Sequence, residues 1–128
     1  MAELAILLPV LLLLIFGMIE MSNAWRTHQI VTNAAREGAR QGILRTSQEA
    51  DIIVRVRQYM VDSGIDPVGA GASIVVQCID RNGTPSATCG TGDEFRVRIE
   101  YPFAFAILAR LGNLGTVTIA STSTMRHE

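Results

Sequence analysis

Few residues in this chain are of types that do chemistry, and their spacing argues against catalysis. Cys78 and Cys89 are the only thiols, and the only imidazoles are His28 and His127. Two Cys cannot complete a four-ligand zinc site, and neither His has a ligand partner three or four positions away. The Cys pair is too widely spaced for a redox C-x-x-C. Ser47, Ser63, Ser73 and Ser86 stand outside any G-x-S-x-G elbow, and no Gly-rich loop joins a strand to a helix as a phosphate cradle. Asp80-Arg81-Asn82-Gly83-Thr84 has a faint likeness to a calcium loop, but the downstream bidentate Glu is missing and the stretch reads as a turn. Asn82-Gly83-Thr84 is also a glycosylation triplet. The reading is a non-enzymatic chain with no catalytic, cofactor-binding or metal residues.

Composition narrows the class further. The 128 residues make one domain of ordinary size. Eleven basic residues, all Arg, oppose 12 acidic ones for a net charge of −1. That balance excludes a general nucleic-acid binder, which needs a basic excess to neutralise phosphates. An apolar content of 48% and a mean hydropathy of +0.29 exclude a disordered chain.

Much of the hydropathy lies at the start. Leu4–Ile19 is sixteen residues without a charge, bracketed by Glu3 and Glu20, and twelve of them are Leu, Ile, Val or Phe. Such residues favour a bilayer by roughly 4–7 kcal/mol in total. As a helix the segment spans about 24 Å, and extension to Trp25 completes a hydrocarbon core of ~30 Å. Trp25-Arg26 has the character of an interfacial anchor. Three readings compete: a cleaved secretory signal ending at Ser22-Asn23-Ala24, a transmembrane anchor, and a pilin-type helix that moves from the membrane into a filament core. The acidic Glu3 and the lack of a basic residue before the run speak against the first. A carboxylate beside the run is costly unless paired.

The helix is expected to continue to about residue 45, with Pro9 removing one backbone hydrogen bond. Ile30, Ala34, Ala35, Gly38, Ala39 and Gly42 form a small-residue stripe at helical spacing. It packs either beneath the chain's own globular part or at a seam between subunits. Thr46 and Glu49 have capping-box spacing. Ile52, Ile53, Val56, Tyr59 and Met60 share one face of a second helix, about 47–63, stopped at Gly64 and Asp66-Pro67. Strands are expected over 72–79, 94–103 and 115–125. Phe95, Val97, Ile99 and Tyr101 alternate with Arg96, Arg98 and Glu100, and Val117 and Ile119 oppose a Thr/Ser face. This is an antiparallel sheet with one face covered. The apolar crossover 104–114 between the last two strands is a short helix or a packed loop.

Cys78 and Cys89 flank a turn-rich stretch. A disulfide there would contribute about 3 kcal/mol by loop closure; the alternative is two reduced thiols. The upstream apolar segment favours export and oxidation. Arg26, Arg36, Arg40 and Arg45 lie after that segment, and the positive-inside rule would put the C-terminal part in the cytoplasm. A basic leader ahead of Met1 would reconcile the two.

Glu3-Leu4-Ala5-Ile6-Leu7-Leu8-Pro9 with the Leu run, Phe16-Gly17-Met18-Ile19-Glu20, and Thr32-Asn33-Ala34-Ala35-Arg36-Glu37-Gly38-Ala39-Arg40 together resemble the TadE-like pilus-assembly proteins, pilin-like subunits of tight-adherence (Tad) pili in the type IV pilus superfamily. Tyr101-Pro102-Phe103 and Thr122-Ser123-Thr124-Met125-Arg126 are also similar to that family. The resemblance implies processing by a prepilin peptidase after a Gly that follows a basic leader. Met1-Ala2-Glu3 has neither, so the numbering is expected to start inside the precursor or slightly within the mature chain. It also implies that Glu3 neutralises a neighbouring subunit's terminal amine.

The expected protein is α+β and pilin-like, with a long N-terminal helix, a second amphipathic helix and a small antiparallel sheet. Residues 1–25 form the membrane or filament-core helix, and 26–128 its continuation and the C-terminal domain. Its expected role is a pilin or minor pilin of a Tad/type IV-like cell-surface filament. The expected assembly residues are Glu3, Leu4, Leu8, Pro9, Leu11, Ile15, Gly38 and Ala39, and the expected disulfide is Cys78–Cys89. Expected partners are copies of itself, other pilins, the prepilin peptidase, the assembly machinery and the inner membrane before assembly, with no nucleic acid. The alternative is a membrane-anchored extracytoplasmic binding module, which a closed pocket with convergent polar groups would support.

Overall fold

The structure is a computed structural model describing residues 2–43, 49–86, 89–90, 92–106 and 115–126, with the side chains of residues 2–5 outside that description. Helix α1 runs from Ala2 to Gly42 and passes unbroken through Pro9. Helix α2 covers Glu49–Asp62. Beyond it lie four strands: β1 (Ser73–Ile79), β2 (Pro85–Ser86), β3 (Glu94–Ala104) and β4 (Thr116–Arg126). They form one antiparallel sheet in the order β2-β1-β3-β4. The expected α+β layout is present.

Alternation decides which face is covered. Ile74, Val76 and Cys78 of β1 stand opposite Ile99, Val97 and Phe95 of β3, and these in turn oppose Ser121, Ser123 and Met125 of β4. This row faces the helices. The core joins Val31, Ala34, Ala35 and Ala39 of α1 with Ile52, Val56 and Met60 of α2 and Phe95, Val97 and Ile99 of β3. Gln77, Arg98, Thr122 and Thr124 line the other, exposed face.

The small stripe of α1 lets helix and sheet approach closely. A Cβ on Gly38 would lie 2.6 Å from Val56 Cγ2 and 3.4 Å from Val97 Cγ1, and one on Gly42 would overlap the Phe95 ring. Gly38 and Ala39 are buried within their own chain. Of the two readings of this stripe, packing beneath the chain's own head is therefore the one realised at these positions.

Helix α2 ends in a Schellman motif. Gly64, at φ 87°, donates to Val61 O at 2.9 Å, and Ile65 donates to Met60 O at 3.1 Å. Asp66 then turns the chain, its Oδ1 accepting from the N–H groups of Val68 and Gly69.

Three details differ from the sequence reading. β2 is an added two-residue strand, paired to the end of β1 across the turn. Ser121 and Ser123 share the helix-facing side with Ile119, so the opposite face of β4 carries Thr116, Thr118, Thr122 and Thr124 with Ala120 and Arg126. Short side chains suit that position, since α1 packs over β4 as well as β3. Helix α1 ends at Gly42, short of the expected residue 45. Thr46 of the expected capping box and residues 107–114 of the crossover lie outside the described residues.

Candidate functional site

Two halves of α1 have opposite surroundings. From Val31 onward its inner face is core. From Ile6 to Ile19 every Leu, Ile, Val and Phe is exposed, from 41% at Phe16 to 73% at Ile6. The helix is long and apolar enough to cross a membrane, and almost none of its most apolar stretch is buried within the chain. A helix apolar on all sides must be covered by lipid or by protein. Leu8, Leu11 and Ile15 share one face at helical spacing, and they and Pro9 are exposed. Glu3 and Leu4 are placed by backbone alone, at the start of α1. Apart from Gly38 and Ala39, the structure brings none of the described assembly residues against another part of the chain.

Cys78 and Cys89 are bonded, with Cα atoms 5.5 Å apart. The expected disulfide is present, closing the hairpin beside β2. In the same turn Asp80 Oδ1 accepts from the N–H groups of Asn82 and Thr84 at 2.8 and 2.9 Å, and Thr84 Oγ1 donates to Asp80 Oδ2 at 2.7 Å. The Thr84 hydroxyl and amide hold the Asp80 carboxyl below its ordinary 3.8. This carboxylate serves the turn that the sequence suggested.

The register of β3 against α1 gives the head an axis. Phe95 packs by Gly42 and Val97 by Gly38, whereas Phe103, Ala104 and Ala106 share a groove with Glu20, Asn23, Arg26 and Thr27. Strand β3 thus runs back along α1. The strand steps from Phe95 to Phe103 cover about 26 Å, equal to about 18 helical residues. That carries Phe103 from the level of Gly42 to about that of Ala24. The disulfide and the polar turn are at the end far from the exposed helix, and the β3–β4 connection is beside it.

Glu20 is the site residue that sequence reasoning placed only at a boundary. It is 5% exposed, between Ile19 at 51% and Met21 at 63%. The available signal was energetic, since a carboxylate inside an apolar run needs cover. Thr27 is also buried, and its hydroxyl donates to Asn23 O at 3.0 Å. Arg26 reaches across to Ser63 O at 3.2 Å and ties α1 to the end of α2. Trp25 is exposed and stacks on His28 with ring centroids 6.0 Å apart.

A concavity of about 600 Å³ is a half-open groove at the far end, lined by Asp80, Arg81, Glu94, Arg96 and Arg126. Among the described residues no group of three or more His, Cys, Asp or Glu is placed to hold a metal.

Residues 1–40 match the family model described as TadE-like protein. The match covers the apolar run and the Asn-Ala-Ala-Arg-Glu-Gly-Ala-Arg block, the segment that carried the resemblance. No curated protein and no solved structure matches the chain.

Proposed function

We propose that this chain is a structural subunit, a pilin or minor pilin, of a Tad/type IV-like extracellular filament. The observation that carries the reading is the continuity of α1. One helix presents an apolar surface on all sides over Ile6–Ile19 and then becomes the core helix of a folded head. Residues 1–25 serve as the membrane and later the filament-core segment, and 26–128 as the outward-facing part. The TadE-like match over residues 1–40 supports the family-level role of a Tad pilus component, and the Cys78–Cys89 bond supports an extracytoplasmic head.

Before assembly the apolar segment lies in the cytoplasmic membrane. Transfer from lipid to a filament core gains little hydrophobic free energy, because lipid is already apolar. Tight packing of helix on helix, extraction by an assembly machinery and neutralisation of Glu3 must then supply the drive. Glu3 would accept a neighbouring subunit's terminal amine, since an unpaired carboxylate in an apolar core is expensive. Copies of the chain, other pilins and a prepilin peptidase are the partners of this reading. A closed pocket with convergent polar groups would support the rival, a membrane-anchored binding module; the concavities lined by Asp80 and Arg96, by Glu20 and Phe103, and by Trp25 and Arg36 are open grooves.

Glu3→Ala in the producing cell tests the proposal. The variant should accumulate in the membrane with its disulfide formed, and filament yield should collapse. A normal filament yield would contradict it.

A further inference from the structure

Helix α1 has one face that its own head does not cover. The face of Leu8, Leu11 and Ile15 continues at steps of three or four residues through Met18 and Trp25 to Arg36 and Arg40, and these residues are exposed. At 3.6 residues per turn it lies about half a turn away from Val31, Ala35, Gly38 and Gly42, which are buried beneath the head. Above the apolar segment this face becomes basic. Arg36 and Arg40 lie on it, and the one acid of α1 beyond Glu20, Glu37, is bonded to Arg55 of α2 at 3.3 Å. A second surface has the opposite charge. Between Arg57 and Arg81 the chain has no basic residue. At the stop of α2, Asp62 and Asp66 are exposed, and so are Val61 at 53% and Val68 at 70%. Among the described residues none of Arg36, Arg40, Asp62 and Asp66 forms an ion pair.

We infer that the α2 stop of one copy, Val61–Val68, docks on the upper, head-averted face of α1 of a second copy, setting Asp62 and Asp66 against Arg36 and Arg40. The inference rests on the filament reading of this chain. Its occupant is a second copy because the two surfaces are complementary in charge, and because the basic one continues the apolar face that copies must cover. The heights of the two surfaces add a constraint. Arg26 donates to Ser63 O, so the α2 stop is level with Arg26. Arg36 is about 15 Å further from the apolar segment, at 1.5 Å per helical residue. Two copies at rest in the membrane stand at one height and cannot make this contact. A copy raised by about 15 Å along a parallel α1 can. The contact therefore forms only as a subunit leaves the membrane for the filament. It joins different patches of the two copies with an axial offset, so it repeats into an open helical array and does not close as a two-fold pair.

Charge reversal in the producing cell tests the contact. Arg36→Glu, Arg40→Glu and Asp62→Arg each change an exposed side chain, and accumulation in the membrane with the Cys78–Cys89 bond formed checks folding. The expected result is a filament yield lowered by about tenfold or more in each single variant, because like charges then face each other. Yield should recover in Arg36→Glu/Asp62→Arg or in Arg40→Glu/Asp62→Arg. Normal filaments from the single variants, or loss without recovery in both combinations, would overturn the inference; a collapse of filaments in Glu3→Ala would leave the filament reading standing. No filaments from the native chain would overturn the filament reading and this inference with it.

Discussion

Gly38→Ala is a sharp test of how α1 meets the head. The added Cβ would lie 2.6 Å from Val56 Cγ2, about 1 Å inside the ordinary carbon–carbon separation of ~3.5–4.0 Å. Val56 and Val97 are both fully buried, and a β-branched side chain on a helix has essentially one rotamer. The overlap has to be absorbed by shifting α2 or the sheet, a cost of about 1–3 kcal/mol. Replacing Gly by Ala within a helix returns about 0.8–1.0 kcal/mol of propensity. The net destabilisation is thus about 0–2 kcal/mol. The sign becomes decisive in a double-mutant cycle. Val56→Ala alone removes two buried methyls at about 1–3 kcal/mol. In that background the offending Cγ2 is gone, so Gly38→Ala should stabilise by about 1 kcal/mol through propensity and partial filling of the void. Urea unfolding of the detergent-solubilised monomer, followed by circular dichroism with the disulfide intact, measures all four corners. Equal destabilisation by Gly38→Ala in both backgrounds would refute the overlap. An effect seen only on assembly, with an unchanged monomer, would restore the seam reading of this stripe.

Other consequences are open to simpler tests. Cys78→Ser with Cys89→Ser should lower head stability by about 3 kcal/mol, and native mass spectrometry of the parent should find no alkylatable thiol. Gly64→Val should destabilise by more than about 1 kcal/mol, because its φ of 87° in the Schellman stop is in the left-handed region that a β-branched side chain disfavours; thermal unfolding reads it. Asp80 has a folded-state pKa below its ordinary 3.8, so its stabilisation of the turn is fully present above that ordinary value and is lost as pH falls through the lowered one. Amide exchange at Asn82 and Thr84 should accelerate over that acidic window, and Asp80→Asn should flatten the dependence.

Much of the fold was legible because period and punctuation agreed. Helix α2 announced itself through Ile52, Val56 and Met60 and through Gly64, and β3 through strict alternation from Phe95 to Tyr101. The disulfide was expected from the turn between Cys78 and Cys89 and an apolar segment implying export. Other features depend on tertiary neighbours. Nothing local distinguishes a stripe for a sheet from a stripe for another subunit; the side chains of Val56, Val97 and Phe95 decide it. β2 is too short to leave a pattern and exists through its pairing with β1. The parity of Ser121 and Ser123 comes from their register against β3, while their polarity suggested the open face. Burial of Glu20 required knowing that β3 runs back along α1. Within the candidate site, the apolar run was plain from sequence, and its exposure in the folded chain from Ile6 to Ile19 is what the structure adds.

The central claim is that copies of this chain cover one another's apolar helices. Electron cryo-microscopy of assemblies purified from the native source tests it most directly. The predicted result is a helical filament in which the side chains of Ile6–Ile19 are buried by neighbouring copies, with each head outward and its Cys78–Cys89 end at the surface. Isolated copies whose α1 meets only lipid or detergent, with no filament under conditions where the protein is produced, would contradict it.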